Sequence, residues 1–408
     1  MWLYNFGLTL YVWLIRLVAP RHPKARLWID GRKDLYKRMA ETIDPTDRIV
    51  WVHVASLGEF EQGRPVIEAF RKACPGYKIL VTFFSPSGYE IRKNYPGADY
   101  IFYLPPDTPR NVRRFMAIVR PKIAVFVKYE FWVNYLLAMK RAGTKLYLIS
   151  SIFRDGQIFF RPYGGLFRSA LRAFRHIFVQ NDSSRNLLKS IGIEQVSVAG
   201  DTRFDRVYKI AQQAKRLPEI ERFAADAPVF IAGSTWPPDE ELLVGLIERY
   251  PDVKFIVAPH EIDPARIEKF CERISRPALR YTQLTPQSDL AAAGVLFVDT
   301  IGILSSIYRY GRWGYIGGGF GAGIHNTLEA ATFGLPLAFG PRYGKFREAR
   351  DLVTLRGAAS IASAEELERW FAGLHDDPDA TGRSGTICKE YVLQHKGATA
   401  RIMDEICR

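Results

Sequence analysis

The stretch that decides the fold is Ile49–Phe70, IVWVHVASLGEFEQGRPVIEAF. A continuous apolar, β-branched run from Ile49 stops at Ala55-Ser56-Leu57-Gly58-Glu59, and a helical pattern follows at once. Continuous rather than alternating apolarity is how a strand covered on both faces of a parallel sheet reads. A strand running directly into a helix is the first half of a βαβ unit. The stretch also sets a carboxylate, Glu59, beside a glycine at the mouth of a buried strand, where a ligand can reach it.

The same pattern repeats on either side. RIVWVHVAS, YKILVTFFS, ADYIFYLP, KIAVFVKYE, KLYLISS and HIFVQ read as buried strands with helical stretches between them. The run 206–227 is polar and charged and reads as an interdomain linker. Alternation then restarts with PVFIAGS, VKFIVAPH, VLFVDT, RWGYIGGG and LPLAFGP. The expected class is α/β, with two doubly wound, Rossmann-like domains facing a central cleft. The expected bounds are a membrane-associated helix over 1–20, a first domain over 21–205 and a second over 228–385. A C-terminal helix over 386–408 is expected to pack on the first domain.

Lysine and arginine number 57 against 43 acidic residues, a formal charge of +14. Such a surface favours polyanions: nucleic acid, anionic lipid head groups or phosphorylated substrates. No zinc-finger spacing or RNP-like run is present, which argues against nucleic acid. The four cysteines, Cys74, Cys271, Cys388 and Cys407, are scattered without a CxxC, as in a reducing compartment with neither a disulfide framework nor a zinc site. No HxxxH or HExxH spacing points to a metal. Between Trp2 and Ala19 the only charge is Arg16, and Arg21, Lys24 and Arg26 follow. This segment is marginal for spanning a bilayer and lacks the marks of a cleaved signal peptide. Its aromatics and basic flank suit a helix held at an anionic leaflet, with an amphipathic core helix as the alternative.

Polar and charged residues gather where strands end. In YIGGGFGAGIHNTLEAATFGLP, Tyr315 to Pro336, a glycine run leads to a helix expected to begin near Asn326. Glycines let backbone N–H groups approach an anion, and Asn326 with Glu329 has capping-box spacing. Glu329 is then either an acceptor for ribose hydroxyls or only a capping carboxylate. The glycines formally satisfy GxGxxG/A, but no acid stands at the next strand end, so a dinucleotide is disfavoured and a smaller nucleotide preferred. Ser234, Thr235 and His260 end successive strands and suit phosphate oxygens, or serve as caps. In the first half, Glu59 and Glu130 follow two different strands, where a partly desolvated carboxylate can be tuned as a general base. Arg203 either neutralises a leaving phosphate or pairs with Asp201 or Asp205.

Taken together, HVASLGEFEQGRPVIEAF, KYEFWVNYL, GDTRFD, AGSTWPPDEELL, APHEID and GGGFGAGIHNTLEAATFGLP resemble 3-deoxy-D-manno-octulosonic acid (Kdo) transferases, collinearly over nearly the whole chain. The resemblance implies a GT-B fold and inverting, metal-independent transfer of Kdo from CMP-Kdo, without a cofactor. The implied acceptor is a lipid A precursor (lipid IVA) in lipopolysaccharide synthesis, at the cytoplasmic face of the inner membrane. It implies that Glu59 is the base, with Glu130 and Arg203 supporting the transition state. Ser234 adds a strand-end hydroxyl to the implied CMP segments, which are Pro259-His260, Ile301-Gly302-Ile303 and Asn326-Thr327-Leu328-Glu329. Three positions depart from the family pattern. Pro259-His260-Glu261 replaces Pro-Arg-His, so an arginine beside the CMP phosphate is missing. Arg203 stands where lysine is usual, and Gly323-Ile324-His325 replaces Gly-Gly-His. The alternatives are another GT-B enzyme using a UDP-sugar, as transferase or epimerase, and a non-catalytic lipid-binding module at the membrane.

Overall fold

The computed structural model describes residues 1–408. Strands β1 (Ile49–Val54), β2 (Lys78–Phe83), β3 (Tyr100–Tyr103), β4 (Ile123–Val127), β5 (Lys145–Ser151), β6 (His176–Val179) and β7 (Val196–Val198) form one sheet. Its order is β3-β2-β1-β4-β5-β6-β7, and every pairing is parallel. A second sheet holds β8 (Val229–Thr235), β9 (Lys254–Pro259), β10 (Ala278–Arg280), β11 (Val295–Phe297), β12 (Trp313–Ile316), β13 (Leu337–Phe339) and β14 (Ala358–Ser360). It runs β10-β11-β9-β8-β12-β13-β14, again all parallel.

Both sheets are doubly wound. Each begins on a central strand, grows to one side, and then returns to grow on the other. The order therefore reverses between β1 and β4 in the first sheet and between β8 and β12 in the second. The carboxyl ends of such strand pairs open a crevice that no crossover helix covers. All six residues of β1 are buried, as the continuous apolar run requires. Trp51 shows why the first core holds. It is fully buried, with its ring 4.6 Å from Phe115, 5.1 Å from Phe126 and 5.5 Å from Tyr135, centroid to centroid. Burying a side chain of that kind contributes roughly 1.5–3 kcal/mol.

The chain divides into two units, residues 1–206 with 396–408, and residues 207–395. The 206–227 segment is not a bare linker. It contains the end of helix Thr202–Gln212 and the helix Pro218–Ala224, whose Ile220 and Phe223 are buried at i, i+3 spacing. Residues 386–408 are likewise not one helix on the first unit. Helix Pro378–His395 belongs to the second unit, and only Ala398–Ile406 joins the first, adding Ile402, Met403 and Ile406 to the core beside Phe70. Asp205 secures this return by accepting from the backbone N–H of Thr399 at 2.7 Å.

The N-terminal helix, Trp2–Val18, has no buried residue, and the chain then bends by 118° into helix Pro23–Asp30. No single helix is long and apolar enough to cross a membrane. Polar contacts fix the helix to its unit. The Tyr4 hydroxyl donates to Asp107 at 2.6 Å, and the Asn134 amide donates to Asn5 at 2.8 Å. Trp2, Leu3, Phe6, Trp13 and Leu17 remain exposed.

Candidate active site

At the reversal of the first sheet, Glu59 follows β1 and Glu130 follows β4. Ser56 caps helix Leu57–Ala73, and Glu59 lies in its first turn. The Glu59 carboxylate turns back and accepts the backbone N–H of Ala55 at 2.5 Å. Burial, helped by the charge of Glu130, pushes its pKa up to about 7 against the opposing pull of the Ala55 amide and Lys128. The two acids are thus electrostatic neighbours. Lys128 also helps hold Asp201 down, and its backbone is left-handed at φ 60°.

A buried relay holds Glu130. The Trp51 indole donates to the Thr82 hydroxyl at 2.7 Å, and that hydroxyl lies 2.8 Å from His53 Nδ1. His53 Nε2 lies 3.0 Å from Glu130 Oε2, which also receives the Trp132 indole N–H at 2.6 Å. One proton assignment satisfies every member. Thr82 donates to Nδ1, and Nε2–H donates to Glu130. His53 escapes a reading by strand ends because it lies inside β1. Its signal is a lone imidazole within an otherwise apolar run, IVWVHV.

Arg203 takes the pairing with Asp201. Its Nε and a terminal nitrogen donate to Asp201 Oδ2 at 2.9 and 2.8 Å, and the Gln62 amide donates to the same carboxylate at 3.1 Å. Burial pushes the Asp201 carboxyl up, but the charge and hydrogen bonds of Arg203 outweigh it and leave it below the usual range. Gln62 sits one turn after Glu59, so Asp201 ties Arg203 to the helix that carries Glu59. Beside Glu130, Tyr4, Leu8, Phe131, Trp132 and Ile158 help line an apolar cavity of about 460 Å³.

In the second unit, the expected nucleotide residues follow β11, β9, β8 and β12, which are consecutive neighbours in the sheet. Ile301 and Gly302 are exposed after β11, His260 is exposed after β9, and Ser234 ends β8 with φ 55°. The glycine run works differently from the expectation. The Gly317 N–H donates to Gly233, the Gly318 N–H to Asp239, and those of Gly321 and Gly323 to the Gly318 carbonyl. These amides are already engaged, so they do not form an anion cradle. Glycine is needed for close approach: a Cβ on Gly317 would stand 2.2 Å from the Ser234 carbonyl oxygen. The following helix is also shorter than expected, Leu328–Ala331, a single turn with little dipole. Asn326 accepts the Leu328 N–H at 3.1 Å and donates to Glu329 at 2.9 Å, so the capping box becomes a side-chain pair. Leu328 is core. Thr327 is buried, with its hydroxyl unpartnered.

Trp236 and His325 complete this edge, and sequence reasoning assigned neither a role. The Trp236 indole donates to His325 Nε2 at 3.0 Å, which leaves the proton of the neutral ring on Nδ1. His260 stacks on His325 at 4.1 Å and on Trp236 at 4.9 Å. Burial, followed by the charge of His260, pushes the pKa of His325 down to about 4. Arg266 donates to the Glu261 carbonyl at 2.8 Å and leaves a buried Nε–H unpartnered. Its guanidinium also pairs with Glu240 at 3.5 Å, close to the position where the resemblance implied an arginine.

Residues 29–206 match the family model described as 3-deoxy-D-manno-octulosonic-acid transferase (kdotransferase). The 3-deoxy-D-manno-octulosonic acid transferase of Haemophilus influenzae is 23% identical over 96% of this chain and 93% of its own length. That of Bordetella pertussis is 26% identical over 88% and 86%. Among solved structures, the UDP-GlcNAc 2-epimerase of Neisseria meningitidis bound to UDP-GlcNAc superposes with a TM-score of 0.63 at 16% identity, covering 88% of this chain and 99% of that one. The calicheamicin glycosyltransferase CalG4 gives 0.55 at 13% identity, covering 88% and 98%. The structural likeness establishes the α/β GT-B architecture. The sequence relatives, aligned over most of the chain, are Kdo transferases, and the family model matches the first unit of this chain.

Proposed function

We propose that the chain transfers Kdo from CMP-Kdo to a hydroxyl of a lipid A precursor, with inversion and without a metal ion. The carrying observation is the Glu59–Glu130 pair at the strand reversal, where Glu59 titrates at about 7. A base is most effective when its pKa lies near the working pH. Glu59 takes the proton of the acceptor hydroxyl, whose oxygen attacks the anomeric carbon of Kdo. The bond to the CMP phosphate breaks as the new one forms, and CMP departs with the electron pair. Direct displacement of this kind inverts the anomeric centre. Arg203, oriented by Asp201, is assigned to the negative charge developing on that phosphate.

On the second unit, the donors available to CMP are the Thr327 hydroxyl, the His325 Nδ1–H and Arg266. Arg266 takes the part of the missing arginine. The apolar cavity beside Glu130 suits an acyl portion of the acceptor. The exposed apolar face of the N-terminal helix suits attachment to the inner membrane, on its cytoplasmic side. The test is incubation with CMP-Kdo and lipid IVA, with product masses and anomeric configuration read out. Displacement of bound CMP by UDP at equal concentration, or a product of retained configuration, overturns the reading.

A further inference from the structure

Beneath the N-terminal helix lies a second cavity, of about 700 Å³, that includes none of the groups assigned to the reaction. Its volume is that of an ordinary ligand site, ~300–1,000 Å³. Val12, Trp13, Trp28 and Leu35 help form its apolar walls, and Arg16, Arg32, Lys33 and Arg110 bring four cations to it without a lining carboxylate.

Arg32 is the telling member. Its guanidinium lies 3.8 Å from the centroid of the Trp28 ring and 4.7 Å from that of Tyr103. It donates to three backbone carbonyls, those of Leu104, Trp28 and Phe84, at 2.8–2.9 Å. A guanidinium has five N–H donors, so these bonds leave two over. The ionisable groups acting on it are the tyrosines Tyr103, Tyr135 and Tyr11, not a carboxylate, and burial pushes its pKa down to about 9. A buried cation without a counter-charge is costly unless an anion arrives. Arg16 and Arg110 are exposed at the rim and also have no carboxylate partner, whereas Lys33 is paired with Asp30.

We propose that this cavity binds one anionic phospholipid of the bilayer. Its phosphate meets Arg16, Arg32 and Arg110, and one acyl chain lies along Val12, Trp13, Trp28 and Leu35. The source of the lipid rests on the membrane attachment proposed above, but not on the Kdo chemistry. Position separates this lipid from the acceptor. Rings of Trp28, Phe84 and Trp132, 5.7 and 4.7 Å apart, stand between the cavity and Glu130, and the acceptor has its own apolar cavity on the Glu130 side. The bound lipid fixes the helix and its unit to the leaflet while the reaction proceeds elsewhere.

The test uses the full chain in nanodiscs and in detergent, with bound phospholipid counted after extraction. Phosphatidylglycerol is expected to be retained at about one molecule per chain and phosphatidylcholine not. The double variant Arg16→Gln/Arg110→Gln should retain about tenfold less, and Arg21→Gln/Lys24→Gln, which removes the same charge outside the cavity, should stay within about twofold of the parent. Turnover in detergent should be unchanged in both variants, which separates this proposal from the assignment of the reaction. Equal losses in the two double variants would mean diffuse surface attraction and overturn the site. Equal retention of both lipids, or one-for-one displacement of phosphatidylglycerol by lipid IVA, overturns it as well.

Discussion

The two strand reversals are built alike and equipped differently. At the first, between β1 and β4, buried polar side chains are joined into a relay: Trp51, Thr82, His53, Glu130 and Trp132. At the second, between β8 and β12, glycine amides are consumed internally and stacked rings line the edge. One common topology can therefore hold a network of buried polar and charged groups in one unit and a glycine-packed edge lined by stacked rings in the other. The topology supplies the crevice, and the side chains after each strand decide its use.

The largest test of that contrast is Glu59→Gln, which should lower turnover about 10²–10⁴-fold while leaving CMP affinity, measured by calorimetry, unchanged. A parallel loss of CMP binding would break the division of labour. Gly317→Ala should do the reverse and disable the second unit. Its Cβ meets the Ser234 carbonyl at 2.2 Å, at a cost of about 1–3 kcal/mol or more, whereas Gly321→Ala, with its nearest atom 3.6 Å away, should be close to neutral in thermal unfolding.

The acid limb of kcat/KM sharpens the contrast further. As the proposed base, Glu59 would act ionised, so activity should rise with pH through about 7. Glu130→Gln should move that limb to lower pH, because it removes one of the charges raising Glu59. Stability runs the opposite way. The folded pKa of Glu59 is raised above its ordinary value of 4.5, so its stabilising contribution is full below 4.5 and lost as pH rises through about 7. Glu59→Gln should therefore be more stable than the parent at pH 8, by up to about 3 kcal/mol, in denaturant titrations. The smallest expected effect is that of EDTA, which should leave the transfer rate unchanged.

What the sequence disclosed follows the same physics. Strands announced by a buried apolar run were legible, even three-residue ones such as β11 and β13, and the three that were not, β7, β10 and β14, lie at sheet edges and are mostly half-buried. An edge strand packs on fewer neighbours and needs no apolar run to declare it. Glu59 and Glu130 were legible because they follow apolar runs. The bond from His53 to Glu130 was not, because it depends on β1 and β4 being neighbours although 77 residues separate the two side chains. The glycine run was legible as a tight loop, but its purpose was not: only the close pass of Gly317 over Ser234 shows that it serves backbone packing.

The return of residues 396–408 to the first unit makes the second unit, in effect, an insertion within the first. During synthesis, the apolar face of helix Leu57–Ala73 must wait more than three hundred positions for Ile402 and Ile406 to cover it. A frameshift or nick near position 396 would therefore disturb the core of the unit that carries Glu59, although the lesion lies far along the polypeptide from that residue.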